Sequence, residues 1–424
     1  PAHRIIALSL LAFLTFSLVH EIFYQRVFWL VLGVALAVFV PSARALSTLP
    51  KSVFHIITGL DAGGAERMLT RLVGSPAQVG IRHSVVSLMD EGVFGQEIRA
   101  KGTALYTLKM RRGLPAPVGL WRLVHLLRTE KPDIVMTWLY HADLLGLAAG
   151  WLAGIKQRYW NLRCSDMTQA NRSPIYRLLM WLLVRLSPFP SMVITNSESG
   201  KRHHQHLGYR PKKWQVLPNG VDLGRFLPKP EAGEALRTEI SVPENAVLIG
   251  HIARFHPMKD YPTLLESAAR VIRDSPLVHY VLVGRDVTPD NPYFANQIEH
   301  GDLAGRVHLL GSRNDIPEIL AGLDMLALSS AYGEGSPNVV IEAMACAVPC
   351  VVTDVGDAAR IVGDTGRVVQ PRDPGALATA TLELLGMSDT ERQSLKQKAL
   401  ARIQQHYDMR SVARQYRALF LEEV

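Results

Sequence analysis

At 424 residues the chain is too long for one compact core, and at roughly 150 residues per domain it suggests two or three. With 48% hydrophobic and 20% charged residues it is not a disordered tail, and its three cysteines, Cys164, Cys346 and Cys350, make no disulfide framework and match no zinc spacing. The net charge of +8 conceals an asymmetry: residues 1–228 carry 27 Lys and Arg against 12 Asp and Glu, while residues 229–424 carry 19 against 26. The basic half calls for an anionic partner. No basic run is interleaved with stacking aromatics, so nucleic acid is a poor fit, and a membrane surface or phosphorylated lipid a better one.

Residues 5–40 are nearly all apolar, broken only by the stretch His20 to Arg26. The runs Ile5–Val19 and Val27–Val40 each fall short of the ~20 residues of a spanning helix, whereas Ile22–Val40 approaches that length if Arg26 snorkels to the interface. The expectation over residues 1–49 is a retained membrane helix or helical hairpin. A cleaved signal peptide is the poorer reading, because the region is too long and is split by charge. Arg44 and Lys51 follow the apolar region, which puts the globular part on the cytoplasmic face of the inner (plasma) membrane.

From Val53 onward, short β-branched runs alternate with helix-length amphipathic stretches. Strand candidates in the first half are 53–57, 83–88, 133–137, 192–195 and 214–217; in the second they are 247–253, 278–284, 306–311, 324–329 and 349–353. Helical patterns at 263–274 and 375–385 separate some of them. Continuous apolar strands alternating with helices indicate an α/β chain with parallel sheets covered on both faces. The Gly- and Pro-rich stretch 220–234, where the charge sign reverses, reads as a linker. The expected organisation is therefore two doubly wound domains, at 50–228 and 229–405, facing a cleft. A last helix at 406–424 returns toward the first domain.

Four segments carry chemical content. In TGLDAGGAERML (58–69), Gly63 and Gly64 let backbone amides approach an anion at a helix start, although the G-x-G-x-x-G fingerprint is missing. MTWLYHADLLG (136–146) follows a strand and offers His141 and Asp143. KRHHQHLGYRPKKW (201–214) holds His203, His204 and His206 without ligand spacing, and reads as a solvated basic face. In ARFHPMK (253–259), Arg254 and Lys259 stand at a strand's carboxyl end, where two cations clamp a diphosphate. The strongest segment is SSAYGEGSPNVVIEAMACAVPCVVTDVGD (329–357). Its amides at Gly335, Ser336, Asn338 and Val339 suit an anion cradle at a helix N-terminus. Glu334 sits on the loop, and Glu342 lies within an apolar helix where a lone carboxylate is costly and a ribose diol would supply two donors. Asn161 and Arg163, read as lying just past a strand, are weaker candidates for touching an acceptor.

GGAER, NGVD (219–222), ARFHPMK and the Glu-x7-Glu segment together resemble glycosyltransferase family 4, over about residues 52–420. That resemblance implies the GT-B fold of two Rossmann-like domains and retaining transfer from a UDP- or GDP-sugar. It implies that Arg254 and Lys259 bind the donor diphosphate, that Glu334 contacts sugar hydroxyls, and that Glu342 contacts the ribose. The amides after Glu334 would hold phosphate or sugar, Gly63 and Gly64 would close over the donor, and His141, with Asp143 beside it, would lie near the donor sugar. No metal and no other cofactor is implied. The apolar N-terminus and basic first domain add a membrane partner and a lipid-linked acceptor in cell-envelope, exopolysaccharide or lipopolysaccharide assembly. A phospholipid or diacylglycerol acceptor, or a non-catalytic membrane scaffold on the same fold, are the alternatives.

Overall fold

The computed structural model describes residues 50–61, 63–110, 116–163, 174–298 and 301–422. The expected membrane segment 1–49 lies outside the described residues, and so does Cys164. Among the described residues, no helix is long and apolar enough to cross a membrane.

The first sheet is built from β1 (Lys51–Ile57), α1 (Gly64–Val73), β2 (Ile81–Ser87), α2 (Gly95–Ala100), β3 (Ala104–Thr107), α3 (Ala116–Glu130), β4 (Ile134–Trp138), α4 (Tyr140–Leu152), β5 (Gln157–Leu162), α5 (Pro174–Leu186), β6 (Met192–Thr195), α6 (Glu198–His206) and β7 (Trp214–Val216). The second follows as α7 (Ala232–Glu239), β8 (Val247–Ile252), α8 (Tyr261–Asp274), β9 (Val278–Val283), α9 (Pro292–Ile298), β10 (Val307–Leu309), α10 (Ile316–Ala321), β11 (Met325–Leu328), α11 (Asn338–Ala345), β12 (Cys350–Thr353), α12 (Ala358–Val362), β13 (Arg367–Val369), α13 (Pro374–Leu385), α14 (Asp389–His406) and α15 (Met409–Leu421). Strand orders are β3-β2-β1-β4-β5-β6-β7 and β10-β9-β8-β11-β12-β13. The pairings are parallel, for example Val53 with Ile134 and Val247 with Val278. Both sheets are thus doubly wound, as the alternation of runs implies.

Every position from Ser52 to Ile57 of β1 is buried, because helices cover both faces of its sheet. One face packs α1 against Val53, Ile57 and Met136, and on that same face lie Met409, Val412, Tyr416 and Phe420 of α15. The other face packs Leu123 and Leu127 of α3 and Ala142 and Ala149 of α4 against Phe54, Ile56 and Val135. The chain crosses between the sheets twice, side by side: Val221 N donates to Tyr407 O at 2.8 Å and Met409 N donates to Val221 O at 2.9 Å. The stretch read as a linker holds the first of these crossings, and α7 begins inside it. Asn161 is a correction: it lies within β5, fully buried, not beyond a strand end.

Candidate active site

One wall of the site leaves β8. Arg254 stands exposed just past the strand, and a tight turn (Pro257–Lys259) then presents Lys259. Asp260 follows in the left-handed region (φ 49°) and caps α8, its carboxylate accepting the Thr263 hydroxyl at 2.7 Å. Lys259 Nζ forms an ion pair with Glu334 Oε1, to which the Ser330 hydroxyl also donates at 2.6 Å. Burial alone would raise the Glu334 pKa. The Lys259 ammonium and the two hydrogen bonds outweigh it and hold the carboxyl below its ordinary value. Beneath them His251 is fully buried, its Nδ1 2.9 Å from Ala327 O, and desolvation lowers its pKa to about 4, so the ring is neutral.

The loop after Glu334 is tightly braced. Gly356 (φ 69°) passes so close that a Cβ there would lie 2.4 Å from Glu334 O, which excludes any larger residue. Asp357 N donates to Gly335 O at 2.8 Å, and Asn219 Nδ2 donates to Ser336 O at 3.0 Å. Asn338 opens α11, whose N-cap, Pro337, supplies no side-chain hydrogen bond. Val339 is half-buried and packs toward the second core. The Ser336 hydroxyl is buried without a partner, an orphan that a ligand oxygen would satisfy.

The opposite wall is α1. Its N-cap Gly63 is extended and likewise gives no side-chain cap, and Glu66 folds back over it. A Cβ on Gly64 would stand 3.3 Å from Asn338 Nδ2, so the N-termini of α1 and α11 converge on one space, with the Glu66 carboxylate lying over that of α1. Glu66 feels both Asp61 and Arg254; desolvation is the largest influence, and its pKa is raised. Farther along α1, Arg71 Nη2 lies 2.7 Å and Arg67 Nη1 3.7 Å from Glu342 Oε1, while Arg71 Nη1 donates to Gly220 O at 2.9 Å. Two helix dipoles with Arg254, Lys259 and Arg67 around them give this space the charge an anion would need, with Glu334 and Glu342 placed to accept hydroxyls. A cavity of about 350 Å³ lies beside the Ser336 loop rather than on this cluster, bordered by Asn196, Pro218, Arg360 and Tyr407.

The structure therefore brings Gly63, Gly64, Arg254, Lys259, Glu334, Gly335, Ser336, Asn338, Val339 and Glu342 to one interdomain region. His141 is the second residue of α4, just past the carboxyl end of β4, which neighbours β1 in the sheet, so it leaves the same sheet edge as the Gly63–Gly64 loop. The residue before the helix, Leu139, has φ 74° and ψ 150°, a region nearly reserved for glycine and common at functional turns. The exposed His141 ring is partly desolvated, and its pKa is lowered. Asp143 is the second correction. It is fully buried, accepts the Thr137 hydroxyl at 2.5 Å, and burial raises its pKa to about 8, so it is a neutral core acid that touches no open surface.

Arg163 is held at both ends, by Asn219 Oδ1 at 2.8 Å and the Tyr416 hydroxyl at 2.5 Å, with its guanidinium 4.5 Å over Trp138. It braces the loop through Asn219 instead of reaching for an acceptor. His204 is buried against Tyr140 and Gly200 O, and among the described residues no group of three His, Cys, Asp or Glu converges to hold a metal. Sequence reading missed Arg67, Arg71, Asn219, Ser330 and Asp357 as individual residues. Arg67 stands in the GGAER motif and Asn219 in NGVD, so both were within view; Arg71 one turn on was findable only from helical spacing.

A family model described as Glycosyltransferase Family 4 matches residues 62–225, and one described as Glycosyl transferases group 1 matches residues 246–387. The chain is 29% identical over 237 residues to the UDP-Gal:alpha-D-GlcNAc-diphosphoundecaprenol alpha-1,3-galactosyltransferase of Escherichia coli, across 55% of this chain and 60% of that enzyme. It is 27% identical over 286 residues to the N,N'-diacetylbacillosaminyl-diphospho-undecaprenol alpha-1,3-N-acetylgalactosaminyltransferase of Campylobacter jejuni, across 64% and 73%. Among solved structures, Anabaena HepE in complex with UDP-glucose matches with a TM-score of 0.73 at 25% identity, covering 87% of this chain and 99% of that one.

Proposed function

Since the chain belongs to the family-4 glycosyltransferases of GT-B fold, we propose that it transfers a sugar, with retention, from a UDP- or GDP-sugar to a lipid-linked acceptor in cell-envelope or exopolysaccharide assembly. The observation that carries this reading is the convergence of the N-termini of α1 and α11, neither capped by its N-cap side chain, beside Arg254 and the Lys259–Glu334 pair. A diphosphate takes the amides of Gly335, Ser336 and Asn338, and Gly63–Gly64 close over it. Glu342 takes the ribose hydroxyls and Glu334 those of the sugar. As the bond from the sugar's C1 to the phosphate oxygen breaks, Arg254 and Lys259 stabilise the charge growing on the leaving diphosphate. The acceptor oxygen attacks C1 on the same face, and its proton passes to the departing phosphate oxygen. His141 lines the acceptor side. No metal is required, because the two cations and the helix dipoles supply the positive charge.

Donor entry requires α1 to draw back from α11, and closure then excludes water from the reacting centre. The names of the Escherichia coli and Campylobacter relatives, both specifying diphosphoundecaprenol acceptors, support a polyprenyl-diphosphate-linked sugar as acceptor; the cytoplasmic face as meeting place rests on Arg44 and Lys51 after the apolar N-terminal stretch. The test is nucleotide release by the purified full-length chain, screened over UDP- and GDP-sugars with a polyprenyl-diphosphate-linked sugar in vesicles. Release with one donor that depends on that acceptor is expected. Release only with diacylglycerol or phospholipid would make it a glycolipid synthase, and no release with any pair would sink the reading.

A further inference from the structure

We propose that the outer face of α3, α4 and α5 is a membrane-docking surface that lies on an anionic bilayer. It goes beyond the transfer reaction and rests on none of its residues. Among the described residues, eight large apolar side chains are more than half exposed. Six of them, Trp121, Trp151, Ile175, Leu178, Trp181 and Phe189, belong to this one helical layer and the turn that follows it. The three helices lie side by side on a single face of the first sheet, and the Arg128 guanidinium donates to Leu152 O at 3.0 Å to tie α3 to the end of α4.

Helix α5 makes the case most sharply. Leu179 and Leu183 are buried toward the sheet, yet Ile175, Leu178 and Trp181 point outward, so the helix is apolar on both sides. An exposed apolar patch of this kind, rimmed by Arg177 and Arg185, marks an interaction surface rather than an ordinary solvated face. At 13 residues it reaches only about 20 Å, too short to span a hydrocarbon core of about 30 Å, so it lies in the interface instead of crossing.

The charges select the occupant. Arg122, Arg128, Lys156, Arg177 and Arg185 are exposed on the same three helices and their ends. The described carboxylates there are Glu130, half-buried and accepting the Tyr106 hydroxyl at 3.0 Å, the buried Asp143, and Asp133 past the end of α3, exposed and accepting the Ser52 N–H at 2.7 Å, so the cations still outnumber them. A second copy of the chain docked by two-fold symmetry would set this cationic face against itself. Anionic headgroups would neutralise it, and tryptophan with arginine is the pairing suited to an interface: the Arg185 guanidinium sits 5.1 Å over the Trp181 ring. Tyr140, next to His141, contacts Tyr176 of α5 with ring centroids 6.4 Å apart. A bilayer on α5 thus lies beside the edge of the sheet where a lipid-borne acceptor would arrive.

The experiment is quenching of tryptophan emission by brominated phosphatidylcholine in vesicles with phosphatidylglycerol, using the full chain with Trp29→Phe to remove the one tryptophan before residue 50. Quenching is expected. It should weaken on adding salt and in a variant with Arg177→Glu and Arg185→Glu, and vanish when Trp121, Trp151 and Trp181 are all replaced by Phe. Circular dichroism identifies any variant that fails to fold, and Ile175→Asp with Leu178→Asp then supplies a second variant expected to lose quenching. Unchanged emission with vesicles would overturn the proposal. So would self-association without lipid that Ile175→Asp abolishes, since the face would then be a contact between copies. Neither donor nor acceptor enters the measurement, so its failure is separate from failure of the transfer reaction.

Discussion

Arg71 and Glu342 meet across the two domains, guanidinium nitrogen to carboxylate oxygen at 2.7 Å, with 14% and 3% of their side chains exposed. The carboxylate that sequence reasoning leaves waiting for a ribose diol thus already has a cationic partner on the facing helix. A buried carboxylate needs donors whichever molecule supplies them. If the proposed donor site holds, the same acid would exchange this partner for the ribose when donor binds.

Glu342→Ala should weaken binding of the free nucleotide by about 2–4 kcal/mol, the loss of two charge-assisted hydrogen bonds, measured by calorimetry. Arg71→Ala should lower the Tm of the unliganded protein, because removing one partner of a buried pair leaves the other uncompensated, a loss of up to about 3–5 kcal/mol. Added nucleotide should raise the Tm of the Arg71 variant more than that of the wild type. Equal shifts would show that Glu342 does not exchange Arg71 for ribose.

Arg254 and Lys259 should separate by stability. Arg254 is exposed, so Arg254→Ala should leave the Tm nearly unchanged while lowering turnover more than donor affinity. Lys259 is the partner of the buried Glu334, so Lys259→Ala should lower both turnover and Tm. Turnover should survive chelation of divalent metal. If chelation abolished it and magnesium or manganese restored it, the two cations would not be the main stabiliser of the leaving group.

The sheets were legible where strands are long and covered on both faces, as in β8 and β9, whose apolar runs need no partner to be seen. Of the four edge strands, β7 and β10 were read from their apolar runs, while β3 and β13 were not. β3 and β13 span 4 and 3 residues and are partly exposed, so burial imposes little pattern on them. The loop from Glu334 to Val339 was legible because glycine, proline and acid are concentrated in a few residues. Arg71 was not, since its partner lies 271 residues away and only tertiary closure joins them. Asp143 was misread from its nearness to His141. Two positions along a helix are about 200° apart, so a residue beside His141 in sequence faces away from it in space.

Asp143 carries a prediction of its own. Its pKa in the folded protein is raised to about 8 by burial, above the ordinary 3.8 of an unfolded aspartate. The folded state then binds the extra proton, so the stabilising contribution is complete below the unfolded value and is lost as pH rises through the folded one. Asp143→Asn removes the titration while keeping the shape. The variant should gain stability over the wild type progressively from about pH 4 to about pH 8, with turnover little changed. A large loss of turnover at unchanged stability would return Asp143 to the catalytic group.

Asp357 couples the Glu334–Val339 loop to the first domain. Its two carboxylate oxygens accept the backbone N–H groups of Glu198 and Ser199, each at 2.9 Å, at the start of α6. Its own N–H donates to Gly335 O at 2.8 Å, so one residue ties the glycine loop to a helix N-terminus across the domains. The contact is charge-assisted and lies along the α6 dipole, and losing such a cap typically costs about 1–2 kcal/mol. Asp357→Ala should therefore destabilise the closed arrangement, with faster amide exchange at Glu198 and Ser199. Exchange in the core strands β4 and β9 should stay closer to wild type, because neither sheet loses a packing contact. Turnover should fall more than nucleotide affinity, since Arg254, Lys259 and Glu342 are untouched and only closure is impaired. Asp357→Asn, which keeps one carbonyl acceptor but loses the charge, should fall between the two. If the Ala variant exchanged Glu198 and Ser199 at the wild-type rate, closure would depend on Arg71 and Glu342 without help from this second tie.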